Sequence, residues 1–145
     1  LQTWAAFVFG YDYDTEASIE ETLQWALECK FTFGAFNVLM PYPGTGLYRR
    51  FAAEDRLLYD GKWWLHPDYR FNHAAFKPHG MTADELTELA WHCRSRFNSY
   101  GSILQRLIEP KTTLRNPTRF AVYCLYNPLY RREAFKKQDM ILGRR

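Results

Sequence analysis

The sequence predicts an α/β fold: a βαβ unit in residues 1–54 followed by an aromatic-rich, mostly helical region in residues 55–145. Three observations predict it. Two short apolar runs, Thr3–Phe9 and Phe33–Met40, flank an amphipathic stretch, and strand–helix–strand in that span places its strands parallel with a right-handed crossover. A helix-start signature, Thr82-Ala83-Asp84-Glu85, then opens a region of helical apolar spacing.

Taken in order, Thr3–Phe9 (TWAAFVF) is rich in aromatic and β-branched residues and bounded by Gly10, which reads as a strand buried on both faces. The loop Tyr11-Asp12-Tyr13-Asp14 leads to a helix N-cap at Asp14 or Thr15, with Glu16, Glu20 and Glu21 in the opening turns, where the helix dipole favours acids. From Thr15 to about Lys30, Ile19, Leu23, Ala26 and Leu27 share one face, so this helix packs on the sheet. Phe33–Met40 is the second strand, closed by Pro41. Pro43-Gly44 suits the centre of a type II turn, and Thr45 caps a short helix running from about Gly46 to Glu54.

The stretch from Arg56 to Asn72 reads as a long irregular loop turning at Asp60-Gly61 and anchored by Trp63, Trp64, Tyr69 and Phe71. Leu86, Leu89, Ala90, Cys93 and Phe97 form the stripe of the next helix. Gly101 either ends that helix or loosens it, because an apolar pattern continues to Pro110. A helix from about Pro117 to Tyr126 and a further one after Pro128 complete the chain.

Composition bounds the function. The chain has 145 residues, 47% hydrophobic, 24% charged and 18% aromatic, which is enough apolar material for a core and argues against disorder. A formal charge of +3 is too mild for a nucleic-acid footprint. No apolar run reaches the length of about 18–20 residues needed to span a membrane. The widely separated Cys29, Cys93 and Cys124 make neither a metal motif nor a disulfide framework and read as thiols in a reducing, cytoplasmic setting. The start, Leu1-Gln2-Thr3-Trp4, has no initiator methionine or basic leader and lies within an apolar strand, which reads as the beginning of a fragment.

Candidate chemistry is sparse. Asp12 and Asp14 follow the first strand at its carboxyl end, where α/β folds gather ligands, so they bind a ribose or cation or else form a solvated loop and cap. Asn37, polar within an apolar run, bonds either a ligand or a neighbouring strand. His66, His73, His79 and His92 lack metal-ligand spacing, and Gly44-Thr45-Gly46 lacks the phosphate-loop pattern. The basic end, Arg131, Arg132, Lys136, Lys137, Arg144 and Arg145, reads as a solvated helix face or tail.

The segments FVFGYDYDT, FNVLMPYPGTGLYRR and RLL…WW, with the MTADEL helix start, resemble the carboxy-terminal part of radical S-adenosylmethionine enzymes of the type that carries a cobalamin-binding domain. Pro-Tyr-Pro-Gly-Thr with Leu47-Tyr48 is the most distinctive part. The resemblance implies that residues 1–54 are the last strands of a partial (β/α) barrel, Thr3–Phe9 being its fifth strand and Phe33–Met40 its sixth. The fifth-strand pattern GxIxGxxE falls on Ala6, Val8, Gly10 and Tyr13, of which Val8 and Gly10 fit and Ala6 and Tyr13 depart.

By the same resemblance Val8, Gly10 and Asn37 lie at the cofactor, and Asp12, Trp63, Trp64 and Tyr69 either lie on the substrate side or, for the three rings, simply pack the core. The parent protein would use S-adenosylmethionine and a four-iron, four-sulfur cluster, with cobalamin as a further cofactor. This chain lacks CxxxCxxC and would hold no cluster and turn over nothing alone. Its expected partners are the upstream radical and cobalamin-binding domains, or a second copy paired through open sheet edges. The alternative is a free-standing helical interaction module.

Overall fold

The computed structural model describes residues 2–108 and 113–141. The element order is β1 (Trp4–Phe9), α1 (Glu16–Glu28), β2 (Phe33–Val38), α2 (Gly46–Ala53), α3 (Ala83–Phe97), α4 (Tyr100–Leu107) and α5 (Pro117–Lys137), with two 3-10 turns at Tyr59–Gly61 and Trp63–Leu65. Arg144 and Arg145, the chain start at Leu1 and the end of the apolar pattern at Pro110 lie outside the described residues.

The fold is α/β. Strands β1 and β2 pair in parallel, in a register that sets Trp4 beside Phe33, Ala6 beside Ala35 and Val8 beside Asn37 on one face. The alternate residues Phe7, Phe9, Phe36 and Val38 form the other face. Among the described residues the sheet has these two strands alone, which makes a βαβ unit and shows no partial barrel.

Helices α1 and α3 cover the second face. Ile19, Leu23 and Ala26 of α1 and Leu86, Ala90, Cys93 and Phe97 of α3 bury against Phe9, Phe36 and Val38. Residues from both 1–54 and 55–145 thus share this core, which also takes in Phe51, Ala74 and Phe76. Phe36 stacks on Phe7 at 4.9 Å and meets Phe97 at 5.3 Å. Gly34 makes that approach possible, because a Cβ there would stand 2.7 Å from the Phe97 ring. A second, smaller cluster of Trp63, Tyr69 and Ala75, with Met40 and Tyr59, packs beneath the loop after α2.

The helix starts follow their caps. Thr15 and not Asp14 caps α1, in a reciprocal pair with Ser18, because the Asp14 carboxylate turns back to accept the N–H groups of Gly10 and Tyr11. Thr45 caps α2, and Thr82 with Glu85 makes the capping box of α3. Gly44 has φ 84° and the Thr45 N–H donates to the Tyr42 carbonyl at 3.2 Å, as a type II turn requires.

Three expectations are corrected. The β1 strand is covered on one face only, since Trp4, Ala6 and Val8 are exposed. The break after α3 falls at Asn98-Ser99, where Ser99 caps a new helix, and Gly101 lies inside α4. The last two expected helices are one, running through Pro128. Proline removes one main-chain donor, but Asn127 Nδ2 donates to the Tyr123 carbonyl in the turn above, and the flanking turns hold the helix together.

Candidate functional site

The bare face of the sheet is the feature that needs a partner, since parallel strands are ordinarily covered on both sides. Helix α5 lies beside that face. It is tied down by Gln2 Nε2 donating to the Arg119 carbonyl at 2.9 Å, the Tyr123 hydroxyl donating to the Ile103 carbonyl at 2.8 Å, and Arg131 donating to the Asn98 carbonyl at 3.2 Å. Between sheet and helix runs a groove of about 560 Å³, within the range of ordinary ligand sites. Trp4 and Phe33 line it from the strands and Val122, Tyr126, Leu129 and Tyr130 from the helix, with Glu133 and Lys137 at one end. Trp4 meets Tyr130 edge-on at 5.6 Å and Phe33 at 5.8 Å, and the residue remains 62% exposed.

Beyond that end a smaller cavity of mixed lining, about 170 Å³, shares Tyr130, Glu133 and Lys137 and adds Asn37, Phe71, Arg94 and Ala134. Arg94 is its fixed point. The guanidinium is buried, and one nitrogen donates to the Phe36 carbonyl, to Asn37 Oδ1 at 3.2 Å and to Asn72 Oδ1 at 2.8 Å, while the other reaches Gln138 Oε1 at 3.4 Å. Burial lowers the pKa of Arg94 against an opposing effect of Tyr130, yet an arginine starts high enough to stay charged. Burial raises the pKa of Tyr130, opposed by Arg94, so its hydroxyl stays protonated at neutral pH.

The residues singled out in the sequence fall in three places. Val8 and Asn37 are neighbours on the bare face. Gly10 is buried at φ 112°, and a Cβ there would stand 2.8 Å from Phe76. With its N–H given to Asp14 at 2.7 Å, it turns the chain away from the strand. Asp12 sits in an ion cluster, 2.9 Å from Arg56 and 3.0 Å from Arg50, with His79 at 3.7 Å. Burial pulls the Asp12 carboxyl up, but the Arg56 hydrogen bond and the charges of Arg50, Arg56 and His79 outweigh this and hold it below its ordinary value. The buried Arg56 lies over the Phe51 ring at 4.3 Å.

Trp63 and Tyr69 are buried in the smaller core, where the Trp63 indole N–H donates to the Pro41 carbonyl at 3.3 Å and the Tyr69 hydroxyl to the His73 carbonyl at 3.3 Å. Trp64, at the surface, meets Trp63 edge-on at 5.6 Å.

Sequence reasoning passed over Arg94, Tyr130 and Trp4. Arg94 had a signal: it lies four residues after Ala90 on the apolar stripe of α3, and a cation on an inward face needs acceptors. Trp4 and Tyr130 carried none, because only α5's return places them together.

Each histidine has its own carboxylate: His66 with Asp68, His73 with Asp139 at 2.6 Å, His79 with Asp12 and His92 with Glu20. Among the described residues no group of three or more His, Cys, Asp or Glu side chains is placed to hold a metal ion. Nor, among them, is any helix long and apolar enough to cross a membrane.

Comparison with known proteins brings out one class. The chain is 29% identical to the bacteriochlorophyllide d C-12(1)-methyltransferase of Chlorobaculum tepidum over 57% of its length, covering 17% of that protein. It is 23% identical to an uncharacterized methyltransferase of Pyrococcus horikoshii over 75% of its length, covering 26% of that protein. An uncharacterized methyltransferase of Synechocystis is 25% identical over 63% of the chain, with 17% of that protein covered. The chain thus spans between a sixth and about a quarter of the relatives it matches. No family model matches the chain. No solved structure matches it.

These findings correct the family assignment drawn from the sequence. Membership of the cobalamin-binding type of radical S-adenosylmethionine enzymes is overturned: no family model matches, and the common ground of the relatives is the coarser name of methyltransferase at low identity. None of the three names mentions cobalamin or an iron–sulfur cluster.

Proposed function

We propose that this chain is a segment of a larger methyltransferase, using S-adenosylmethionine as methyl donor, and that its bare sheet face around Val8 and Asn37 lines the site where donor and acceptor meet. The observation that carries this reading is the agreement of three relatives from different organisms on one reaction class. The geometry supports the location. A parallel sheet left bare on one side and unpaired at both outer edges among the described residues is a surface that further strands of a longer chain would extend.

The residues present fit such a donor. Small Ala6 and Ala35 leave room over the middle of the sheet, and Asn37, held by Arg94, offers a fixed amide beside Val8. The donor supplies the methyl group, and the chain's part is to position it and exclude water. Gly10 contributes by turning β1 into the loop that carries Asp12. Asp12 and Trp64, the latter backed by the buried Trp63 and Tyr69, are proposed to border the acceptor beyond the strands' carboxyl ends.

The test is ultraviolet cross-linking of methyl-tritiated S-adenosylmethionine to the protein expressed from its complete open reading frame. Label is expected in peptides containing Val8 or Asn37, and Asn37→Ala should reduce it. A complete reading frame holding these residues alone, or label confined to other peptides, overturns the proposal. The second class of reading, a free-standing interaction module, predicts no labelling and a partner-dependent change in Trp4 fluorescence.

A further inference from the structure

We propose that Arg94 is a positioning residue that turns the Asn37 amide so that its NH2 group faces outward on the bare sheet face, where it takes a hydrogen-bond acceptor of the bound molecule. The orientation rests on the network around Arg94; assigning the acceptor to the methyl donor rests on the methyltransferase reading.

A guanidinium carries N–H donors and no acceptor, so an amide that meets it must present its oxygen. Buried Arg94 donates to the Phe36 carbonyl, Asn37 Oδ1 and Asn72 Oδ1 from one nitrogen and to Gln138 Oε1 from the other. Turning any of these amides over would set N–H against N–H beside a buried charge. The far end of each amide is consequently a donor, and the inner part of the network shows where such donors go. Asn72 Nδ2 donates to Gln138 Oε1 at 3.3 Å, and Gln138 Nε2 donates to Asp139 Oδ1 at 2.9 Å. This branch runs from a cation through two amides to a carboxylate, an order in which each hydrogen bond polarises the next.

The Asn37 branch stops one step short. Its Nδ2 has no protein acceptor among the described residues, and the side chain is exposed beside Val8. Neither neighbouring need explains an amide at this position. An aspartate would satisfy Arg94 more strongly, because an ionised acceptor makes the stronger hydrogen bond. An aliphatic residue would match Val8, Ala6 and Ala35 on the same face. Only an amide both answers the cation and keeps a donor facing outward.

The test measures calorimetric binding of S-adenosylmethionine and S-adenosylhomocysteine to the protein expressed from its complete open reading frame, beside Asn37→Ala, Asn37→Asp and Arg94→Lys. Asn37→Ala should weaken both probes about fivefold, the scale of one hydrogen bond. Asn37→Asp, though nearly isosteric, should weaken them about tenfold or more, because it sets an acceptor against an acceptor. A side chain that merely filled space would rank the two substitutions the other way. S-adenosylhomocysteine lacks the sulfonium charge, so the same order with both probes excludes a general charge effect. Arg94→Lys should weaken both probes too, and adding it to Asn37→Ala should cost nothing further, because Arg94 acts through Asn37. A ligand-free measurement stands beside these: the carboxyl introduced by Asn37→Asp, followed by NMR, should titrate below the ordinary aspartate range because Arg94 faces it. Thermal melts verify folding, and if Arg94→Lys does not fold, the Asn37 order and the titration decide.

Binding by Asn37→Asp as tight as by Asn37→Ala, an ordinary titration of the new carboxyl, or additive effects of Arg94→Lys and Asn37→Ala overturns the proposal. So does binding indifferent to both Asn37 substitutions, which leaves the methyltransferase reading to the cross-linking. If the unaltered protein binds neither probe while the new carboxyl titrates low, the methyltransferase reading falls and the outward donor stands.

Discussion

The two faces of one small sheet are built to opposite specifications. On the covered face Phe7, Phe9, Phe36 and Val38 interlock with α1 and α3, and glycine is required at position 34 so that the Phe97 ring can lie against the backbone. On the bare face Ala6, Val8 and Asn37 are exposed and Ala35 half-buried, and the nearest helix leaves a groove instead of a packed layer. The difference teaches where the stability of the unit resides. The covered face supplies apolar burial that holds the βαβ unit, whereas the bare face leaves Trp4, Ala6 and Val8 exposed.

The largest test of this contrast is Phe36→Ala. Deleting a ring that is 0% exposed should destabilise the chain by about 3–5 kcal/mol in urea unfolding. On the opposite face Val8→Thr should stay within about 0.5 kcal/mol. If the two substitutions cost alike, the bare face is covered in solution and the contrast fails.

Next in size, Gly34→Ala should cost about 1–3 kcal/mol from overpacking against Phe97, and Phe97→Leu in the same chain should recover part of that loss. Recovery read from a double-mutant cycle would locate the strain at this contact, and strict additivity would place it elsewhere.

A smaller effect concerns acid. The folded pKa of Asp12 lies below its ordinary value of 3.8, so its ion cluster contributes stability that is fully present above about pH 5 and is lost as pH falls through the folded pKa. Asp12→Asn should therefore flatten the acid limb of a stability–pH profile and leave its slope near neutrality unchanged.

Thiol accessibility sharpens the same picture without altering stability. The Cys93 thiol sits in the covered core, where burial first and Glu20 second push its pKa up to about 12, while Cys29 and Cys124 are exposed. Ellman's reagent at pH 8 should titrate Cys29 and Cys124 in the native chain and reach Cys93 only on unfolding. Fast reaction at Cys93 would show that α3 leaves the sheet readily.

Much of the fold was legible because local chemistry determines it. The Thr82–Glu85 capping box, the Pro43-Gly44 turn and the apolar spacing of Ile19, Leu23 and Ala26 each act within a few residues, and each appears where the spacing placed it. The misread points are those where local signals compete. Pro128 marks a helix end by its missing donor, yet the turns around it carry α5 through. An apolar run looks alike whether one face or both are buried, which is why β1 read as fully covered.

The site was less legible. Val8 and Asn37 could be singled out one by one, but their adjacency is a consequence of parallel register. Arg94 collects the Phe36 carbonyl, Asn37, Asn72 and Gln138 from separate stretches of chain. Trp4 and Tyr130 are 126 positions apart by number and meet only because α5 returns across the start of the strands.

The sequence by itself determined the βαβ unit, its caps and turns and the helical character of the second half of the chain, since these depend on hydrogen bonds and spacing within a turn or two. Only the tertiary structure decided which face of the sheet stays bare and which aromatics border it. Those outcomes depend on which long-range contacts bury the most apolar surface while satisfying Arg94 and the strand carbonyls, a balance that no local stretch of residues contains.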